Sequence, residues 1–107
     1  MREPTFLVLL VLARGPKHGY ALIAETEALS EGRVKLKAGT LYAVLDRLRE
    51  EGLVASAGEQ IVDGRLRRYF QLTEPGAQRL EEEAARLEAN ARQALVNLRV
   101  RASGASA

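Results

Sequence analysis

The chain has 107 residues, enough for one domain with a modest hydrophobic core. Hydrophobic residues make up 47% and charged residues 28%, a balance typical of a globular rather than a disordered chain. Cysteine is absent, which excludes disulfides and thiolate metal sites and favours a cytoplasmic location. The apolar run over residues 6–13 is far shorter than the ~20 residues needed to cross a bilayer, so we expect no membrane partner.

The charges are unevenly distributed along the chain, although the net charge is only +2. Residues 33–73 contain eight basic and five acidic side chains, whereas the five acids and five bases that follow residue 73 cancel. A basic middle segment is compatible with a nucleic-acid partner, but it does not by itself establish one.

Two helices are predicted in the first third of the chain. Pro4 suits the first turn of a helix that continues to Leu12 and is apolar on all sides, so we expect it to lie between two packed surfaces. A second helix is predicted from Lys17 or His18 to Leu29. Residues 33–37 alternate between basic and apolar side chains, which favours a short strand or an extended segment.

The segment from Ala38 to Glu51 has the most informative pattern in the chain. Its apolar residues recur at helical spacing and form one stripe: Leu41, Val44, Leu45 and Leu48. Four other side chains point away from that stripe and give the helix a short polar face: Thr40, Tyr42, Ala43 and Arg47. Gly52 then ends the helix.

A basic hairpin is predicted after this helix. Its strands are residues 53–58 and 66–73, joined by residues 59–65 with the turn dipeptide Asp63-Gly64. Leu66, Phe70 and Leu72 share one face of the second strand. Arginines close to the hairpin tip are costly to bury, so we expect them to project outward.

The last predicted helix starts after the capping residue Thr73, with Pro75 in its first turn. Its apolar residues follow a heptad a/d pattern over about three heptads. A helix of ~27 residues is about 40 Å long, more than its own domain covers, so we expect the distal half to pack on another chain, with a two-fold homodimer as the default geometry. The pattern consists of Ala77, Leu80, Ala84, Leu87, Ala91, Ala94 and Leu98.

These elements predict a mainly α fold with a small β-hairpin, of the α+β class. We expect a winged helix-turn-helix domain at 1–73, a dimerisation helix at 74–101 and a disordered tail at 102–107.

The polar helix and the hairpin together favour binding to double-stranded DNA. The major groove admits one helix between two phosphate walls. Small or hydrogen-bonding residues such as Thr40 and Ala43 suit the groove, while Lys37, Tyr42 and Arg47 suit the backbone. A solvated core helix and a hairpin edge made soluble by Arg65, Arg67 and Arg68 are the alternative interpretation.

Other parts of the site stay open at this stage. Asp46 lies on the exposed side and has three interpretations: a pair with Arg47, a pair with Arg49, or an acceptor for a cytosine amino group. His18 is the one histidine, and without cysteine or a second histidine we expect it to be structural or exposed, with no metal site and no cofactor. No catalytic motif is present, so we expect no enzymatic activity.

Over residues 5–80 the chain resembles the PadR family of bacterial transcriptional regulators. Its single last helix is similar to that of the family's short subgroup. The matching residues are Leu9-Leu10-x-Leu12 with Gly15, His18-Gly19-Tyr20, Gly39-Thr40-Leu41-Tyr42 with Leu45 and Leu48, Glu51-Gly52-Leu53-Val54, Arg67-Arg68-Tyr69-Phe70 and Leu72-Thr73-x-x-Gly76.

The resemblance implies a winged-helix homodimer that binds an operator, represses transcription and is released by a small-molecule effector. In the family the first helix packs on the partner's last helix, which implies dimer contacts for Phe6 and Leu10. The family's DNA-facing positions match Tyr20, Lys37, Thr40, Tyr42, Arg47, Arg65 and Arg67, although Tyr20 and Tyr42 also suit packing positions. A winged-helix module that binds protein instead of specific DNA is the alternative function.

One family feature is missing from this sequence. In some short members an aromatic drug stacks on a tryptophan of the last helix, but this chain has no tryptophan and no aromatic residue after position 73. A channel between subunits would here be lined by alanine, leucine, valine and Asn90 or Asn97, with Phe6 as the nearest aromatic side chain.

Overall fold

Four helices and one three-stranded antiparallel sheet form the computed structural model, which describes residues 1–104. The strand order in the sheet is β1-β3-β2. The predicted α+β fold class is confirmed. The elements are α1 (Glu3–Leu12), β1 (Lys17–His18), α2 (Gly19–Leu29), α3 (Ala38–Glu50), β2 (Val54–Val62), β3 (Arg65–Leu72) and α4 (Glu74–Ala102).

The hydrophobic core forms around α1, which is apolar on every side as the sequence predicts. Val8, Leu9 and Val11 are completely buried, while Phe6 and Leu10 are half-buried. The predicted stripe of α3 faces this core, with Leu41, Leu45 and Leu48 buried and Val44 packed at its edge. Burial of these side chains positions α3 and leaves its opposite face exposed.

The connection between α2 and α3 is an extended loop rather than a paired strand. Leu36 is buried and anchors the loop, so the alternation in residues 33–37 reflects one-sided burial without strand pairing. Arg33 donates a hydrogen bond to Glu3 at 2.9 Å, which ties the loop to α1 and raises the pKa of Arg33. Lys37 lies in extended conformation directly before α3.

A two-residue strand precedes α2, and sequence patterning did not predict it. β1 pairs with β3, with Lys17 opposite Phe70 and His18 opposite Tyr69. His18 also caps α2, because its Nδ1 accepts a hydrogen bond from the amide of Ala21 at 3.3 Å. This pairing fixes the start of α2 against the middle of β3.

β2 and β3 form a longer ribbon than predicted, which we call the wing. The strands continue to Val62 and Arg65, so the predicted seven-residue loop reduces to the turn at Asp63-Gly64. Both turn residues have positive φ, 51° and 76°, as a tight two-residue hairpin turn requires. The outer half of the wing extends beyond the core, so Leu66 is 58% exposed instead of joining Phe70 in the core.

The first turns of α4 pack on the winged-helix part, and the rest of the helix does not. The Thr73 side chain accepts a hydrogen bond from the amide of Gly76 at 3.0 Å, as predicted for a capping residue. Leu80 packs against the core, and Glu83 is buried beside Arg86 and Arg79, whose proximity lowers the pKa of Glu83.

Beyond Glu83, every described residue of α4 is exposed. Leu87 and Leu98 of the predicted seam have 51% and 57% of their surface exposed, and the molecule extends over 66 Å. The helix runs one residue into the predicted tail, Ser103 and Gly104 close it, and residues 105–107 of that tail lie outside the described part. In residues 1–104, no helix has both the length and the apolarity needed to cross a membrane.

Candidate nucleic-acid interface

The exposed face of α3 presents two groups of side chains on its two flanks. Thr40, Ala43 and Arg47 lie on the flank beside the start of α1, where they line a groove of about 360 Å³ together with Arg2. All four residues are exposed. This groove combines small or hydroxyl-bearing side chains with two guanidinium groups, which suits contact with base edges and phosphates.

The other flank of α3 meets the base of the wing in a second cleft of about 350 Å³. We call it the wing-root cleft. α2, α3 and β3 each contribute to it, so three elements distant in sequence converge there. Its lining residues are His18, Gly19, Tyr20, Tyr42, Leu66, Arg67 and Arg68.

Arg67 is the central cation of the wing-root cleft. Contrary to the outward projection predicted for the wing arginines, it is half-buried, whereas Arg65 and Arg68 are exposed. Its Nη1 lies 3.2 Å from Nδ1 and 3.1 Å from Nε2 of His18. These two distances show that the guanidinium is in direct contact with the imidazole ring.

The aromatic neighbours of Arg67 hold it in place. Its guanidinium carbon lies 5.9 Å from the ring centroid of Tyr20, within cation–π range. Its Nε is buried and has no hydrogen-bond partner in residues 1–104. Arg67 is therefore positioned by its contacts with the His18 and Tyr20 rings, and its buried Nε is a donor that an external acceptor cannot reach.

His18 is electrically neutral near pH 7 in this environment. Burial lowers its pKa below the ordinary value of 6.5, and the nearby charges of Arg67 and Lys17 lower it further. Because Nδ1 accepts the Ala21 amide, the neutral ring carries its proton on Nε2. The rings of Tyr69 and His18 pack in an edge-to-face arrangement, with 5.4 Å between the ring centroids.

The two tyrosines of the cleft differ in their packing. Tyr42 packs on Phe70 in an edge-to-face arrangement, with 6.3 Å between the two ring centroids. Its hydroxyl lies against Gly19, so closely that a Cβ atom at Gly19 would be 2.7 Å from the hydroxyl oxygen. Tyr42 is 40% exposed, so it packs and also presents a surface to solvent. Tyr20 is 69% exposed, and its ring has one face beside Arg67.

The remaining predicted residues lie around these two clefts. Lys37 is exposed at the start of α3, and Arg65 is exposed at the wing tip beside the Asp63-Gly64 turn. Asp46 lies on the α3 flank that faces β2, with its carboxylate 3.9 Å from Nη1 of Arg49. This geometry favours the pairing with Arg49 among the three interpretations of Asp46.

Sequence reasoning missed two contributors to this surface. His18 has a structural role, as expected, but the sequence did not predict that it contacts Arg67 at the base of the wing. Arg2 lies beside Arg47 only because α1 begins next to α3. A sole histidine directly before a predicted helix was a usable signal for a cap, but no sequence pattern linked it to Arg67, 49 residues later.

The arrangement of α2, α3 and the three-stranded sheet defines a winged helix-turn-helix protein. The model of the transcriptional regulator PadR-like family matches residues 8–82. This chain belongs to the PadR-like family.

Individual relatives support the assignment. The transcriptional regulator YqjI of Escherichia coli is 36% identical over 86 residues, which is 80% of this chain and 40% of that protein. The transcriptional regulator Rv3488 of Mycobacterium tuberculosis is 40% identical over 70 residues, 65% of this chain and 64% of that protein. The matched region of this chain thus corresponds to about two fifths of the E. coli regulator and two thirds of the mycobacterial one.

Solved structures have the same fold. A PadR family regulator from Eggerthella lenta superposes with a TM-score of 0.68 at 30% identity, covering 90% of this chain and 84% of that one. Bacillus subtilis PadR in complex with operator DNA has a TM-score of 0.67 at 21% identity, over 78% of this chain and 48% of that one. At that level of identity, the second likeness concerns the fold.

Proposed function

We propose that the protein is a transcriptional regulator that binds double-stranded DNA with sequence specificity. The observation that carries this proposal is the juxtaposition of the exposed α3 face with the basic base of the wing, where Tyr42 and Arg67 line one cleft. A helix for the major groove beside an arginine-bearing ribbon is the arrangement that winged-helix DNA binding requires. Further support comes from B. subtilis PadR, which has this fold and forms a crystalline complex with operator DNA.

Each flank of α3 has a distinct proposed role. Thr40 and Ala43 leave space for base edges. Arg47, on the same flank of α3, has the planar guanidinium that recognises guanine or phosphate through two hydrogen bonds. Lys37, Tyr20 and Tyr42 contact the sugar-phosphate backbone, and Arg65 and Arg67 bring the wing to the backbone or the minor groove. These assignments explain why cations and hydroxyls lie exposed where Arg2 and Arg47 line a groove with Thr40 and Ala43. Glu51 lies beside the same two arginines, toward the end of α3.

The same proposal includes a homodimer formed through α4 and α1. The support is the exposed distal half of α4, where leucines lie in solvent at the spacing of a helix–helix seam. The contacts involve Ala84, Leu87, Ala91, Ala94 and Leu98, and the half-buried Phe6 and Leu10 of α1, whereas Leu80 of the predicted seam packs on the core of its own chain. Two copies related by a two-fold axis present two α3 helices to a pseudo-palindromic operator.

Repression and its release by a small-molecule effector complete the proposed function. Both are supported by membership of the PadR-like family rather than by a feature of the described residues. A ligand that binds the folded dimer would raise its melting temperature, which provides a direct screen.

Fluorescence anisotropy tests the central proposal. The purified protein is titrated with the duplex directly upstream of its gene and with a scrambled duplex, at two salt concentrations. We expect at least a hundredfold preference for the upstream duplex, about 3 kcal/mol. Equal, salt-labile binding to both duplexes would contradict autoregulation, and the same result with a library of genomic fragments would favour the protein-binding module instead.

Arg47→Ala provides the residue-level arm of this test. The substitution is expected to weaken operator binding by about 1–3 kcal/mol and to relax the preference at one base pair, because one bidentate contact is lost. The matched control is Arg92→Ala, which removes an exposed arginine of α4 paired with Glu88. Equal operator affinity of the two variants would overturn the placement of Arg47 at the groove.

A further inference from the structure

The outer end of the wing carries two large apolar side chains that residues 1–104 leave uncovered. Ile61 is 76% exposed, the highest value among the large hydrophobic residues in that part of the chain, and Leu66 is 58% exposed. The two residues lie opposite each other on β2 and β3, next to the pair Val62–Arg65 that closes the turn. In a two-residue hairpin this second pair is not hydrogen-bonded, so its side chains stand close together. We call Ile61 and Leu66 the apolar tip pair.

The apolar tip pair continues the surface that α3 presents. On the same face of β3, Phe70 packs against Tyr42 of α3, and Leu66 lines the wing-root cleft together with Tyr42. Four residues of extended strand separate Phe70 from Leu66, which corresponds to about 13 Å. In B-DNA the adjacent minor groove lies half a helical turn from the major groove, about 17 Å along the axis. With α3 in the major groove, the apolar tip pair is therefore within reach of that minor groove.

The charges around the apolar tip pair decide what kind of surface can cover it. Leu66 lies between Arg65 and Arg67 in the sequence, and Arg68 lines the same cleft. Residues 59–68 contain three arginines and two acids, so the outer wing is net positive. An apolar protein surface that covered Leu66 would have to desolvate the neighbouring guanidinium groups. The minor groove attracts arginine and also accepts aliphatic side chains, so the charges favour DNA.

The width of the minor groove determines which part of the wing can enter it. The groove is about 6 Å wide, whereas the backbones of two paired strands are already about 4.8 Å apart before side chains are added. The ribbon therefore stays outside, and only side chains at its tip enter. An aliphatic side chain at the floor of the groove meets the edges of stacked base pairs, and it becomes fully buried only between two of them.

We propose that the apolar tip pair enters the minor groove beside the α3 site and opens one base step, so that the protein bends its DNA. The proposal rests on the proposed function and deepens it, because the arginines of the wing supply charge and the tip pair adds a wedge. Burial of Ile61 and Leu66 compensates for the base stacking that is lost. In the proposed dimer the opened step occurs twice, at symmetric positions.

The wedge also gives the protein a way to select sequence without reading base edges. Pyrimidine–purine steps such as TA and CA/TG open easily, whereas A-tracts are stiff. The cost of opening a step therefore depends on its sequence. The operator is expected to contain a flexible step where each wing meets it.

A double variant separates the wedge from the other role that an apolar cross-strand pair has, which is to stabilise its hairpin. Ile61→Thr with Leu66→Thr keeps residues that suit a strand and removes most of the apolar surface. The exchange Ile61→Leu with Leu66→Ile keeps both the hairpin and the apolar volume. Leu29→Thr is the matched control, because Leu29 is an exposed leucine at the opposite end of α2 from the wing-root cleft.

Base unstacking is measured with 2-aminopurine, whose fluorescence rises when it leaves the stack. The duplex directly upstream of the gene is prepared with the probe at successive adenine positions, and each duplex is saturated with protein. We expect wild type, the exchange variant and Leu29→Thr to raise the signal at least about threefold at one step in each half of the duplex. The double threonine variant is expected to change it by less than about 1.5-fold. At saturation, a mere loss of affinity does not alter this readout.

Energy transfer between dyes at the two duplex ends gives a second, independent readout. We expect wild type to bend the duplex by about 20–90° at each opened step, and the double threonine variant to bend it less. Replacement of the opened step by AA is expected to weaken wild-type binding about tenfold and binding of the double variant less than about threefold.

Two results would overturn the proposal. They are a wild-type complex without an unstacked step, and a double threonine variant that unstacks and bends the duplex as wild type does. The second result would leave the tip pair with its hairpin role alone. Loss of sequence preference overturns the proposed function alone, because the bend is still measured on any saturated duplex. Absence of binding to any duplex overturns both.

Discussion

Gly76 shows how one position without a side chain sets the attachment of α4. It lies in the first turn of the helix and is buried against the backbone of Leu53 and the side chain of Leu72. A Cβ atom at this position would overlap the carbonyl oxygen of Leu53 and lie 2.8 Å from a methyl carbon of Leu72. Contact with a carbonyl oxygen cannot be relieved by rotation of a side chain, so the helix itself would have to move.

Gly76→Ala is therefore expected to destabilise the protein, by about 1–3 kcal/mol as in other overpacked sites. The sign is informative, because glycine to alanine in an open helix position stabilises by up to about 1 kcal/mol. Gly39→Ala in α3 is the matched control, since nothing lies within 4 Å of its Cβ position. Urea unfolding of both variants checks this, and a Gly76→Ala protein as stable as Gly39→Ala would contradict the close approach.

Residue-level chemistry was predictable where it is local in sequence. The Thr73 cap and the Asp63-Gly64 turn depend on neighbours within three residues, and both predictions are confirmed. The contact of His18 with Arg67 depends on the pairing of β1 with β3. Because β1 has two residues, no sequence pattern predicted this pairing. The site was thus predictable as a set of exposed cations, but not as a cleft.

At the scale of elements, the wing contains a break that strand alternation does not predict. The register changes between the pairs Ser56–Phe70 and Glu59–Arg68, so β2 advances three residues while β3 advances two. The extra residue is a β-bulge, and Gly58 within it has φ of 95°. Beyond the bulge, Ile61 pairs with Leu66 and lies on the same face as Leu66 and Phe70.

This break has a direct effect on what sequence patterns could predict. Strict alternation from Val54 would place Ile61 on the opposite face, because the two residues are seven positions apart. By contrast, the α3 stripe was predicted correctly because helical spacing is uninterrupted over its 13 residues. The patterns therefore predicted the helices and the hairpin, and failed at the irregular base of the wing.

The wing tip offers an element-level prediction. Arg65→Ala is expected to weaken binding to every duplex by a similar factor and to reduce the slope of log affinity against log salt by about one. The reason is that an exposed arginine at the tip neutralises backbone charge without reading a base. Anisotropy titrations at several salt concentrations measure this slope, and a loss confined to one operator sequence would show that Arg65 reads bases instead.

At the scale of the whole molecule, α4 extends far beyond the domain that carries it. Its 29 residues correspond to about 44 Å, and those beyond Glu83 are exposed. Heptad spacing predicted this length, and Leu87 and Leu98, which it assigns to the seam, are exposed. It could not show that Leu80 at the near end packs on the core of its own chain, because that depends on how α4 docks.

The dimer proposed from this geometry is tested by Leu98→Glu. A charge in a helix–helix seam must be desolvated, so we expect the mass in solution to fall from that of a dimer to that of a monomer. Gln93→Glu adds the same charge to α4 away from the predicted seam and is expected to stay dimeric. Sedimentation measures both variants, and a dimeric Leu98→Glu protein would argue that the seam lies elsewhere.

The exposed half of α4 also makes the protein sensitive to its own abundance. For a chain that pairs through α4 as proposed, the distal helix gains its burial from a second molecule, so dilution removes part of its stability. When monomers dominate, the concentration of the paired form varies with the square of the total concentration. Operator occupancy would then respond steeply to modest changes in synthesis, and the length of one helix would set a threshold for gene control.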